Sequence, residues 1–137
     1  MTASVLPIPV MPDVASTLAR IALGAVFLVH GIPKIRNPRQ TIGFVKSTGF
    51  PAGAVFAALF TLLEFFGGIA LILGFLTRVV GVLIALEMVA TSIFAKTKLG
   101  KKFVNGYELD VSYLVLGLVV ALLGAGPWSV DGLLGLT

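Results

Sequence analysis

Four apolar stretches, set apart by short polar ones, run the length of the chain. The longest reads PAGAVFAALFTLLEFFGGIALILGFL, from Pro51 to Leu76, and holds a single charge, Glu64, near its middle. About 20 residues at roughly 1.5 Å rise cross a hydrocarbon core about 30 Å thick, so this stretch predicts a transmembrane helix. The stretches are continuous, rich in Leu and Ala, and without strict alternation, which predicts helices rather than barrel strands. Lipid satisfies no backbone N–H or C=O, so a spanning segment has only those two options. The expected fold is all-α: one domain, 1–137, built as an integral membrane four-helix bundle. Its spans are expected at about 14–32, 52–76, 79–95 and 107–125.

The polar punctuation adds detail. Residues 1–12 hold Pro7, Pro9 and Pro12 and no basic residue, so a retained, flexible tail is expected rather than a signal peptide. Pro33 is expected to end or kink the first span. Within that span Arg20, Gly24, Phe27 and Gly31 recur at three- and four-residue steps, a face suited to close helix packing. Arg20 lies near the span's start and is expected to snorkel to the interface. Between Lys34 and Gly49 a short interfacial helix or loop is expected. The second and third spans are joined by the brief Thr77–Arg78 turn and are expected to be antiparallel neighbours. Asn105–Gly106 and Gly126–Pro127 bracket the fourth span, and Trp128 is expected at the interface.

Composition places the chain in the membrane. It is 58% hydrophobic and 12% charged, with a mean hydropathy of +1.08, where a soluble domain is about one quarter charged. The net charge of +4 does not point to nucleic acid, because the cations sit in loops. Lys34, Arg36, Arg39 and Lys46 follow the first span, and Lys96, Lys98, Lys101 and Lys102 follow the third. This asymmetry predicts a multi-pass plasma-membrane protein with both basic loops cytoplasmic and both termini outside. The absence of cysteine excludes a disulfide or a thiol relay within the chain.

Candidate chemistry centres on Glu64. An intramembrane acid must face protein or trapped water, and its functional reading is a proton acceptor or a hydrogen-bond partner for a headgroup. Its bland reading is a structural carboxyl, protonated or paired with His30. Glu87 lies near the centre of the third span, with Thr91 a turn away. Counted from the turn, the two carboxyls differ in depth by roughly 6 Å and could share a site. On the expected topology His30, Lys34, Tyr107, Glu108, Asp110 and Tyr113 gather near the cytoplasmic face. Tyr107, Asp110 and Tyr113, three apart, form one stripe. Glu64 and His30 are the candidate catalytic residues; Lys34, Glu87, Glu108 and Tyr113 are candidate ligand-binding residues. No ligand spacing supports a metal, and no phosphate-binding glycine motif occurs.

The pieces RIALGAVFLVHGIPK, GFP, LLEFFGGIALILGFLTR, NGYE and GPWSVD occur in that order. As an ordered set they resemble the DoxX family of small membrane proteins. The resemblance implies a four-helix membrane bundle. It marks His30, Gly31, Lys34, Glu64, Gly68, Arg78 and Glu108 as family motif positions, and leaves Glu87 outside them. Family members include subunits of thiosulfate:quinone oxidoreductase and proteins tied to quinol oxidases. The resemblance therefore implies a redox or respiratory association near quinone. Three roles stay open: a quinone-associated oxidoreductase subunit, a non-catalytic accessory or assembly subunit, and a small carrier of protons or solute. The chain has no electron-carrying cofactor motif, so a redox role needs a partner, either a larger redox membrane complex or further copies of the chain. Membrane lipid is expected around it, and a bound quinone is the small molecule it would hold, in a cytoplasmic-side pocket lined by His30 and Glu64.

Overall fold

The computed structural model describes residues 5–137. Among the described residues there is no strand, and four helices are long and apolar enough to cross a membrane: Pro12–Arg36, Gly53–Leu73, Thr77–Thr97 and Phe103–Leu123. The expected tail at 1–12 falls partly outside the described residues; Val5 to Met11 precede the first helix and are exposed. Helix α1 (Pro12–Arg36) is followed directly by the short α2 (Pro38–Ser47), which buries no residue and lies where a short helix or loop is expected. The second span is broken into α3 (Gly53–Leu62), a π-helical turn (Leu63–Gly67) and α4 (Gly68–Leu73). The third span is α5 (Thr77–Thr97). In the fourth, Val104, Asn105 and Gly106 have non-helical dihedrals, so the regular helix is α6 (Glu108–Leu123). A five-residue helix, α7 (Val130–Leu134), follows.

Pro33 does not end the first span. It lies inside α1, which continues to Arg36 and stops where Asn37 N–H bonds back to Pro33 O, just before Pro38. The missing N–H of Pro33 removes one bond near the helix end only. Lys34 and Arg36 stay in the last turn, where the helix dipole favours cations.

The short turn joins the second and third spans, yet each takes its main partner elsewhere. The second span packs on α1, and α5 packs on α6. Glycines decide this. A Cβ on Gly68 would sit 2.7 Å from Leu28 N, and one on Gly31 would sit 2.7 Å from Phe65 N. In the other pair a Cβ on Gly81 would sit 2.7 Å from Gly117 O. These backbones touch, the arrangement that close helix packing in lipid favours. The two pairs meet around Leu23, Phe27, Ile84 and Met88.

Arg20 is not a snorkelling anchor. It is 2% exposed and lies in the protein, because four backbone carbonyls reach it. Its guanidinium donates to Ala125 O (3.0 Å), Leu71 O (3.1 Å), Ile72 O (2.7 Å) and Trp128 O. The last carbonyls of α4 lie past the helix's own N–H groups: Nη1 serves Leu71 O and Ile72 O, while Nε and Nη2 reach Ala125 O and Trp128 O. Asp131, also buried, accepts from Leu76 N–H (2.8 Å) and Thr77 N–H (2.9 Å) at the start of α5. The segment after the fourth span therefore folds back and ties three spans together.

Candidate functional site

Glu64 occupies the π-helical turn of the second span. Such a turn fits one extra residue into a helix and re-aims the side chains around it, which is why it is frequent at functional sites. The carboxyl is nearly buried, 5% exposed. Its partner is Lys34, not His30: Lys34 Nζ donates to Oε1 at 2.9 Å and stands 2.7 Å from Oε2. Lys34 reaches it because α1 runs through Pro33, carrying the stripe Arg20, Gly24, Phe27, Gly31 one step further. His30 is exposed, with Nδ1 2.7 Å from Val26 O. Since a carbonyl only accepts, Nδ1 donates, and Nε2 is the acceptor of the neutral ring.

Glu87 is 2% exposed, and no donor reaches either of its oxygens. The carboxyl within hydrogen-bonding reach is Glu64; Lys34 and Asp110 are the other charged groups facing it. Thr91 does not serve it, since its hydroxyl donates to Met88 O at 3.3 Å. The expected difference in depth between the two acids is thus bridged in the folded bundle.

Two cavities flank the Lys34–Glu64 pair. The first, about 170 Å³, is walled by Phe44, Phe50, Phe56, Phe60 and Phe94 and reaches Ala57, Thr61 and the ion pair. Phe50 packs edge-on against both Phe56 and Phe94, which fixes the aromatic wall. The second, about 150 Å³, is lined by His30, Lys34, Glu64, Asp110, Tyr113 and Thr91, with Phe27 and Met88 beneath. Tyr113 is held there edge-on to Phe27. Lys34, Glu64 and Thr91 border both cavities.

Of the sequence candidates, His30, Lys34, Glu64 and Tyr113 meet around the second cavity, and Glu87 lies behind Glu64. Glu108 stands apart: its Oε1 accepts from Asn105 N–H at 2.9 Å and holds the loop where Asn105 takes a φ of 57°. Tyr107 packs edge-on against Phe103, away from the stripe's other members. Sequence reasoning missed the aromatic cavity altogether; its phenylalanines come from α2, the following loop, α3 and α5. Among the described residues no group of three His, Asp or Glu stands close enough to hold a metal.

The family model for DoxX matches residues 15–97, which include Lys34, Glu64 and Glu87. The chain belongs to the DoxX family. Among relatives with similar sequences, "Putative oxidoreductase CatD" of Bacillus subtilis is 33% identical over 87% of this chain and 86% of its own length. "Uncharacterized membrane protein Rv3486" of Mycobacterium tuberculosis is 35% identical over 82% of this chain and 76% of its own. "Inner membrane protein YqjF" of Escherichia coli is 30% identical over 90% and 95%. No solved structure matches the chain. Membership in the DoxX family and the four apolar helices make this an integral membrane protein.

Proposed function

We propose that this DoxX protein is the quinone-binding membrane subunit of an oxidoreductase, receiving electrons from a partner protein. The observation that carries the reading is the aromatic cavity ending on the Lys34–Glu64 pair. An apolar cavity of roughly 150 Å³ accepts benzene, so about 170 Å³ fits one six-membered ring, with an isoprenoid tail left to the lipid. The phenylalanine walls suit the ring's faces. Lys34, part-exposed at the cavity's polar end, has ammonium protons beyond those aimed at Glu64 and donates one to a ring oxygen. A quinone, when bound, supplies reversible two-electron chemistry. Glu64 holds Lys34 in place and exchanges a proton at the ring oxygen. The oxidoreductase name of the Bacillus subtilis relative agrees with this class of chemistry. The basic loops face the cytoplasm in this reading.

The test is lipid extraction of the full chain purified in mild detergent, with quinone measured by mass spectrometry. Quinone should be retained at a constant ratio to protein. Ala57→Phe, which places a ring inside the cavity at a buried position, should remove it at least tenfold while the protein stays folded. Quinone no higher than in an unrelated membrane protein prepared alongside, or retention unchanged by Ala57→Phe, would overturn the reading.

A further inference from the structure

We propose that Glu64 and Glu87 act as one proton-holding pair, with Lys34 as its counter-ion and the polar cavity as its route to water. The inference rests on the site described above but not on which ligand fills the aromatic cavity.

Glu87 is the starting point. Its two oxygens are buried and receive no hydrogen bond. A buried carboxylate without donors is among the most costly arrangements in a protein interior. The group within its reach is another acid, and two carboxylates offer each other only acceptors. One proton resolves this: carried by Glu87, it is donated to Glu64, and both groups gain a strong charge-assisted hydrogen bond. Charge then balances. Lys34 is positive, Glu64 negative and the protonated Glu87 neutral, so the cluster sums to zero.

The surroundings supply a path. Glu64 borders both cavities, so its far side meets the ligand space and its near side meets the polar one. The charged groups facing the pair are Lys34 from α1 and Asp110 from α6; Asp110 in turn faces His30, Lys34 and Lys101. When the pair gives its proton to a ligand oxygen, two carboxylates remain against one ammonium. The resulting excess negative charge draws a replacement proton from water through the His30–Asp110 side. One proton leaves and one enters, and no bond other than O–H changes. Glu87 touches neither cavity, so it is a positioning residue that acts through Glu64.

Infrared spectroscopy of the full chain in lipid nanodiscs tests this directly. At neutral pH the wild type should show the carbonyl stretch of a protonated carboxylic acid, shifted down in heavy water. The band should vanish in Glu87→Gln and persist in Asp110→Asn. In Glu64→Gln it should vanish as well, because Glu87 is then the one carboxylate left to balance Lys34 and the amide NH2 can donate to it. The wild-type spectrum alone decides the matter if a variant does not fold: no such band means no shared proton. A band that survives Glu87→Gln or Glu64→Gln, or that vanishes with Asp110→Asn, also overturns the proposal. Quinone measured in the same samples separates the two readings. A band without quinone retention removes the quinone and keeps the pair; quinone without the band does the reverse.

Discussion

Lys34 Nζ lies 2.7 Å from one oxygen of Glu64 and hydrogen-bonds the other at 2.9 Å, joining the end of α1 to the π-helical turn of the second span. The pair is lopsided, with Glu64 buried and Lys34 about one third exposed. Removing either member alone leaves the other without its partner, and that cost falls mainly on the buried acid. Lys34→Met should lower stability by about 1–2 kcal/mol, below the value for a fully buried pair because Lys34 is part-exposed. The double variant Lys34→Met/Glu64→Gln should recover at least half of that loss. Thermal unfolding in mild detergent measures both, and no recovery in the double variant would show that the loss does not come from the acid left without its partner.

Gly68 faces a different constraint. A methyl group there would lie 2.7 Å from Leu28 N and 2.8 Å from Gly24 O in the backbone of α1. Gly68→Ala should push α1 from the second span and cost about 1–3 kcal/mol. Gly43→Ala, at a glycine with open space around it, should cost nothing measurable. Unfolding midpoints of the two variants compared with wild type provide the check.

Arg20 should be the least replaceable residue at its end of the bundle. Arg20→Met leaves the carbonyls of Leu71, Ile72, Ala125 and Trp128 without this donor. A loss of about 3–5 kcal/mol is expected. Arg20→Lys should recover only part of it, since an ammonium cannot reproduce the planar fork of donors. The yield of folded protein from membranes, followed by thermal unfolding, reads the order wild type, Lys, Met.

The orientation can be tested cleanly because the chain has no cysteine of its own. Single cysteines at the exposed positions Ser47, Lys98 and Leu136 should divide into two groups. In intact cells a membrane-impermeant thiol reagent should label Leu136→Cys and spare Ser47→Cys and Lys98→Cys. Labelling of the two loop positions with protection of Leu136→Cys would invert the topology.

The four spans and the burial of Glu64 were legible because each depends on local content: a long apolar run, and one charge that lipid will not accept. The stripe from Arg20 to Gly31 was legible for the same reason, as a spacing within one helix. The partner of Glu64 was hidden by Pro33. Read as a stop, that proline detached Lys34 from the stripe; left inside the helix, it places Lys34 one step past Gly31 on the same face. The roles of Arg20 and Asp131 depend on backbone groups from other segments, which no side-chain pattern announces. The aromatic cavity was equally silent, since a phenylalanine against lipid and one lining a cavity look alike in sequence. The π-helical turn at Glu64 leaves no compositional mark at all.

The hold of Asp131 on Leu76 and Thr77 has a consequence for biogenesis. The four crossings among the described residues all precede this aspartate in the chain, so the ribosome adds the latch only after the residues of those crossings. Until then Leu76 N–H and Thr77 N–H, at the head of α5, lack this acceptor. Closure of the finished bundle is therefore a late step, and a nascent chain arrested short of residue 131 would be an unlatched form on which proteases and chaperones could act.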